Sequence, residues 1–135
     1  MKTVTTYLSF DGNCRQAMSF YQQCLASELQ LNPYPDASGQ PSADQAARIM
    51  HSQIVRQGAP ILMGSDTPQV GSLRTGNNVS VSIDCDSLDE IERLFASLSR
   101  GGDIRMPLMD APWGARFGML TDQFGIQWLL NCYLR

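Results

Sequence analysis

Residues 3–10 alternate between apolar and polar types and are rich in Val, Thr, Tyr and Phe, which predicts a half-buried strand. The period then changes. Asn13 and Gln16 have the spacing of a capping box, and Ala17, Phe20, Tyr21, Cys24 and Leu25 follow at the offsets of one helical face. A second strand is expected over 28–32, ending in a stretch from Pro33 to Pro41 that can hold neither helix nor central strand. Two more strands are expected over 46–56 and 60–65, joined by a turn at Gln57-Gly58-Ala59. The order so far is β-α-β-β-β.

Residues 66–78 carry Thr67-Pro68, Gly71-Ser72 and Gly76-Asn77 and read as a polar connector, after which the pattern begins again. Val79, Val81 and Ile83 alternate with Ser80, Ser82 and Asp84 as a strand with one apolar and one polar face. Ser87 with Glu90 opens a second helix whose stripe is Leu88, Ile91, Leu94, Phe95 and Leu98, and Gly101 or Gly102 can end it in a left-handed conformation. Strands over 104–109, 115–121 and 126–133 follow, the last two joined by Asp122-Gln123-Phe124-Gly125. Leu8-Ser9-Phe10-Asp11 before the first helix is echoed by Val81-Ser82-Ile83-Asp84 before the second. The expected class is α+β, one domain over residues 1–135 built from two βαβββ modules, at about 1–66 and 78–135. One helix covers one face of each curved mixed sheet, so two modules side by side are expected to leave a concave pocket.

With 43% hydrophobic and 17% charged residues the chain has too many apolar groups for disorder, and no apolar run is long enough to cross a bilayer. At 135 residues it can bury a core without staples. Met1-Lys2-Thr3 leads straight into the alternating segment rather than into a secretory leader, so a cytoplasmic location is expected. The net charge of −3 and scattered Lys and Arg provide no footprint for nucleic acid. Cys14, Cys24, Cys85 and Cys132 form no C-x-x-C pair and read as buried, reduced thiols.

The segments YLSFDGNCRQAMSFY, MGSDTP and PWGARFGMLTDQFGIQW resemble the PhnB-like branch of the glyoxalase/bleomycin-resistance/dioxygenase (vicinal oxygen chelate) superfamily. That branch is sometimes labelled demethylubiquinone methyltransferase-like. Trp113-Gly114, Phe117-Gly118, Asp122, Phe124-Gly125 and Trp128, in that order, carry the likeness most specifically. The resemblance implies the paired βαβββ fold, a pocket on the concave sheet faces and a homodimer. Metal-dependent members place His, Gln or Glu ligands on the first and last strands of each half. Carried onto this chain, those positions fall near Thr6, Met63 or Gly64, Asn78 and Leu129, none of which is a usual transition-metal ligand.

The sole histidine, His51, is a candidate general base or ligand-orienting donor, with a hydrogen-bonded structural strand residue as the competing reading. Related proteins often carry a histidine at this place. Asp66, Asp84 and Asp122 could join His51 around a metal, but no spacing pairs them on one face, and turn or cap roles compete. Trp113, Phe117, Met119 and Trp128 suit either a pocket for a planar molecule or the core, with Trp128 assigned to the core. Asn78, Ser80 and Ser82 form the polar side of the fifth strand and would line the pocket if Val79, Val81 and Ile83 pack on the helix. No G-x-G-x-x-G follows a strand, so the methyltransferase label finds no nucleotide-type cofactor site.

The expected function is therefore binding of a small molecule, without cofactor or intact metal site, in a pocket of Thr6, His51, Met63, Asn78, Ser80, Trp113, Phe117 and Met119. The alternatives are a metal-dependent lyase, isomerase or dioxygenase with relocated ligands, and an interaction protein whose 33–41 loop reaches over a partner subunit.

Overall fold

In the computed structural model, which describes residues 1–134, a first unit (Met1–Arg74) contains β1 (Tyr7–Phe10), α1 (Cys14–Leu25), β2 (Glu28–Pro33), β3 (Ile49–Arg56) and β4 (Ala59–Asp66). A second unit (Thr75–Arg135) contains β5 (Val81–Asp84), α2 (Leu88–Leu98), β6 (Asp103–Ala111), β7 (Ala115–Thr121) and β8 (Gln127–Tyr133). The strand orders are β1-β4-β3-β2 and β5-β8-β7-β6, with β1 parallel to β4 and β5 parallel to β8 and the other pairs antiparallel. The βαβββ repeat is thus present twice, as two mixed sheets with one helix each.

Alternation decides which side chains meet the helix. In the first sheet Leu8, Phe10, Leu62 and Ile54 are buried with Ala17, Met18 and Tyr21 of α1. In the second, Leu120, Trp128 and Leu130 are buried with Ile91, Leu94, Phe95 and Leu98 of α2. Gly118 is required where α2 crosses β7, since a Cβ there would lie 2.7 Å from the Phe95 ring and 2.8 Å from Leu108.

Several expected boundaries move, each for a local reason. β1 begins at Tyr7, because the last ladder bond before it runs from the Met63 amide to the Thr6 carbonyl, and Val4 is exposed. β5 likewise begins at Val81 rather than Val79: its partner β8 starts at Gln127, and the exposed Val79 lies before the ladder. β3 begins at Ile49, since Asp44 draws the amides of Ala46 and Ala47 into a turn. β6 extends to 103–111 by accommodating Pro107 between register shifts. The 33–41 loop closes on itself, with Pro35 bridged to Pro41 and Asp36 accepting from the amides of Ser38 and Gln40.

The two helices start differently. Ser87 and Glu90 form the expected cap, Ser87 Oγ accepting from the Glu90 amide at 3.1 Å and Glu90 Oε1 from the Asp86 amide at 2.9 Å. Asn13 makes no side-chain cap bond. The buried Asp66 carboxylate serves that helix instead, accepting from the amides of Gly12 (2.6 Å) and Cys14 (3.1 Å) through Oδ1 and from Ile49 (2.8 Å) through Oδ2. One side chain at the end of β4 therefore ties down the start of α1 and the start of β3. In the second unit the buried Asp122 accepts from the amides of Phe124 and Ile126 and from the Trp128 indole, closing the β7–β8 turn. The turn role expected of both aspartates holds for Asp122, whereas Asp66 ends β4 and satisfies amides distant in sequence.

All four cysteines are unbridged and buried. Burial pushes the Cys14 thiol up to about 11 and, reinforced by Glu90, the Cys85 thiol up to about 12. Among the described residues, no helix is long and apolar enough to cross a membrane.

Two outcomes are expected. Asp66→Asn cannot accept all three amide bonds and should lower stability by about 2–3 kcal/mol, read as a fall in the urea midpoint at unchanged slope. Cys14 and Cys85 should react with a disulfide reagent at pH 8 only after denaturation. Because their folded values are raised, their contribution to stability is full below the ordinary thiol value. It is lost as pH climbs from there through about 11–12, which alkaline melting curves would record.

Candidate functional site

The face of the second sheet turned away from α2 is set by register. Phe117 pairs with Asn131 and Met119 with Leu129, while Ser82 pairs with Leu129 and Asp84 with Asn131 from the other side. These residues alternate with the core positions Leu120, Trp128 and Leu130, so they share the opposite face. Met106 and Met109 on β6 join it through their pairing with Met119 and Phe117.

Trp113 stands in the β6–β7 turn and is 54% exposed, yet its ring is held at two points. Its indole Nε1 donates to Asn131 Oδ1 at 3.2 Å, and the ring meets Phe117 edge-on with centroids 5.1 Å apart. Asn131, only 8% exposed, donates through Nδ2 to Asp84 Oδ1 at 3.3 Å. Asp84 thus orients the amide that orients the indole. Of the expected pocket residues in this unit, Trp113, Phe117 and Met119 come together. Asn78 and Ser80 are exposed and precede the β5–β8 ladder, and Ser82 occupies the face in their place. Trp128 is core, as expected.

In the first unit, Tyr7, Met63 and His51 lie on the face turned away from α1, since Leu8, Leu62 and Ile54 occupy the other side. Tyr7 Oη is 3.1 Å from His51 Nδ1, and the two rings stack with centroids 5.8 Å apart and planes at 29°. Gln53 donates to Gln30 at 2.7 Å on the same face. Thr6 stands before β1, and its neighbour Tyr7 is the residue that reaches His51.

Tyr7 and Asn131 escape the sequence reading, and both leave a signal. Tyr7 has the parity opposite to Leu8 and Phe10, which alone puts it on the non-core face. Asn131 is the lone amide inside the apolar run Trp128 to Cys132.

Among the described residues, no three His, Cys, Asp or Glu side chains converge as metal ligands. Asp66 and Asp122 already accept backbone amides, and Asp84 accepts from Asn131. A cavity of about 310 Å³ lies elsewhere, under Tyr34, Pro35, Asp36 and Arg48. Its one cation, Arg48, is paired with Asp11 at 2.9 Å and donates to the Thr67 carbonyl.

Residues 2–131 match the family model described as 3-demethylubiquinone-9 3-methyltransferase. The chain is 30% identical over 140 residues to Protein YjdN of Escherichia coli K12, covering 95% of this chain and 93% of that protein. Protein PA1353 from Pseudomonas aeruginosa is 38% identical, with all of both chains covered and a TM-score of 0.85. The PhnB protein from Bacillus cereus is 26% identical with a TM-score of 0.79, over 97% of this chain and 99% of that one. A glyoxalase/bleomycin resistance protein/dioxygenase family enzyme from Burkholderia phytofirmans shares the fold alone, at 14% identity and a TM-score of 0.65 over 96% and 98% of the two chains. With its repeated βαβββ units and a match spanning nearly its whole length, the chain belongs to the 3-demethylubiquinone-9 3-methyltransferase family, is similar to PhnB, and has the fold of glyoxalase/bleomycin resistance/dioxygenase proteins.

Proposed function

We propose that this protein binds a planar, largely apolar small molecule on the face of the second sheet turned away from α2, without a resident transition metal. The observation that carries the reading is Trp113, an exposed indole fixed by a hydrogen bond to Asn131 and an edge contact to Phe117. Exposing this much aromatic surface forgoes burial that would stabilise the fold by roughly 25 cal/mol per Å². A ring fixed in advance offers a partner stacking area at reduced entropic cost.

The neighbouring side chains fit the same ligand. Phe117, Met119, Met106 and Met109 give an apolar, polarizable floor, and Met adapts to ligand shape. Ser82 and the Asp84 carboxylate add a polar edge for orientation. Reading the site as metal-free rests on the committed aspartates and the lack of converging ligands among the described residues.

Screening aromatic compounds by thermal shift should give stabilising ligands that also quench Trp113 fluorescence, since Trp128 is buried and shielded. Trp113→Ala should weaken those ligands by about tenfold, the scale of one aromatic contact, with little change in the unliganded melting temperature. A broad set that produces no stabilisation, or ligands that bind the variant equally well, would rule the reading out.

A further inference from the structure

Across the first sheet, one register row consists wholly of hydrogen-bonding side chains. Ser9 on β1 pairs with Ser65 on β4, and Asn32 on β2 pairs with His51 on β3. Ser52 pairs with Gly64, so one antiparallel step further His51 stands opposite Ser65. Ser9, Ser65, His51 and Asn32 therefore run edge to edge over all four strands, on the face away from α1. The next row on that face is Tyr7, Met63, Gln53 and Gln30.

The fold engages this row only through His51. No hydrogen bond ties the side chains of Ser9, Ser65 or Asn32 to another described residue, and His51 is engaged through Nδ1 alone. None of their polar atoms is sealed from solvent without a partner, a condition found among the described residues only at Arg15 Nε. Tyr7, from the adjacent row, leans across β4 to place its hydroxyl on His51 Nδ1 while stacking on the ring. With the phenol donating to Nδ1, the arrangement that the proposed site requires, the neutral imidazole carries its proton on Nε2 and that nitrogen is a donor.

Around it, β1 contributes Tyr7 and Ser9, β4 contributes Met63 and Ser65, and β2 contributes Asn32. None of these carries a charge at neutral pH. The carboxylate of this face, Glu28, pairs with Val55 two rows away, and Asp11 beyond β1 is held by Arg48 and the Gly71 amide. A donor-rich row without a nearby negative charge complements a group that only accepts. We propose that the Ser9–Ser65–His51–Asn32 row binds the carboxylate of a small ligand, His51 Nε2 and the Ser65 hydroxyl donating to its oxygens, with Tyr7 as the positioning residue for the imidazole. Bonds to an ionised acceptor are roughly twice as strong as neutral ones, which separates a carboxylate from an amide of the same shape. This site lies wholly in the first unit and does not rest on the aromatic face of the second.

Because the chain has one histidine, its side-chain nitrogen resonances can be followed without ambiguity. At fixed pH, benzoate should shift the His51 Nε2 signal saturably and bind about tenfold more tightly than benzamide, its uncharged counterpart. Tyr7→Phe keeps the ring but loses the hydroxyl. It should redistribute the proton between the two ring nitrogens and weaken benzoate by about threefold to tenfold, as should Ser65→Ala. Trp113→Ala should leave the benzoate titration of the His51 signal unchanged even where it weakens ligands held on the aromatic face of the second unit. An Nε2 signal that benzoate does not move saturably, or moves no more tightly than benzamide does, would overturn the proposal. So would a Tyr7→Phe variant with unaltered nitrogen shifts and unaltered benzoate affinity.

Discussion

A single helix of 11 or 12 residues can cover one face of a four-stranded sheet and no more, and this constraint shapes both units. The side chains of α1 and α2 seal the faces carrying Phe10, Leu62 and Ile54 in one unit and Leu120, Trp128 and Leu130 in the other. Because strand residues alternate, the same packing forces Tyr7, His51 and Ser65, or Phe117, Met119 and Asn131, onto the side no helix covers. The groups with chemistry to offer are placed there by where the core residues point.

Carboxylates that look available for catalysis or metal binding are spent on the backbone. Asp66 joins the start of α1, the start of β3 and the end of β4, and Asp122 closes the last hairpin while holding the Trp128 indole. Buried acceptors in these places satisfy amides that the helix and turns would leave open. Asp84 is nearer the uncovered face, and it works through Asn131 to fix the Trp113 ring. Among the described residues, the side chains on the faces turned away from the helices offer hydrogen bonds and aromatic surface, and no three His, Cys, Asp or Glu converge as a chelating set would need.

The two uncovered faces differ in chemistry although they descend from the same pattern. Ser9 and Ser82 correspond in the echo between Leu8-Ser9-Phe10-Asp11 and Val81-Ser82-Ile83-Asp84. In the first unit the serine joins a row of donors around His51, and in the second it borders a floor of Phe117, Met119 and Leu129. A repeated backbone thus carries a polar face in one unit and an aromatic one in the other.

Much of this was legible in the sequence. Periodicity determined the two βαβββ units, the two helices, the cap at Ser87 and the burial of Trp128, because each depends on contacts between near neighbours or on the parity of a strand. The resemblance in the Trp113 to Trp128 segment determined the branch. Tertiary structure alone decided where ladders begin, since β1 and β5 start only where β4 and β8 can pair, which left Thr6 before the first ladder and Asn78 and Ser80 before the second. It also decided that Asp66 rather than Asn13 serves α1, that Tyr7 meets His51 across 44 residues of chain, and that Trp113 is held by Asn131. Those partners are distant in sequence, and nothing in local spacing encodes a bond that exists only once strands from different parts of the chain lie side by side.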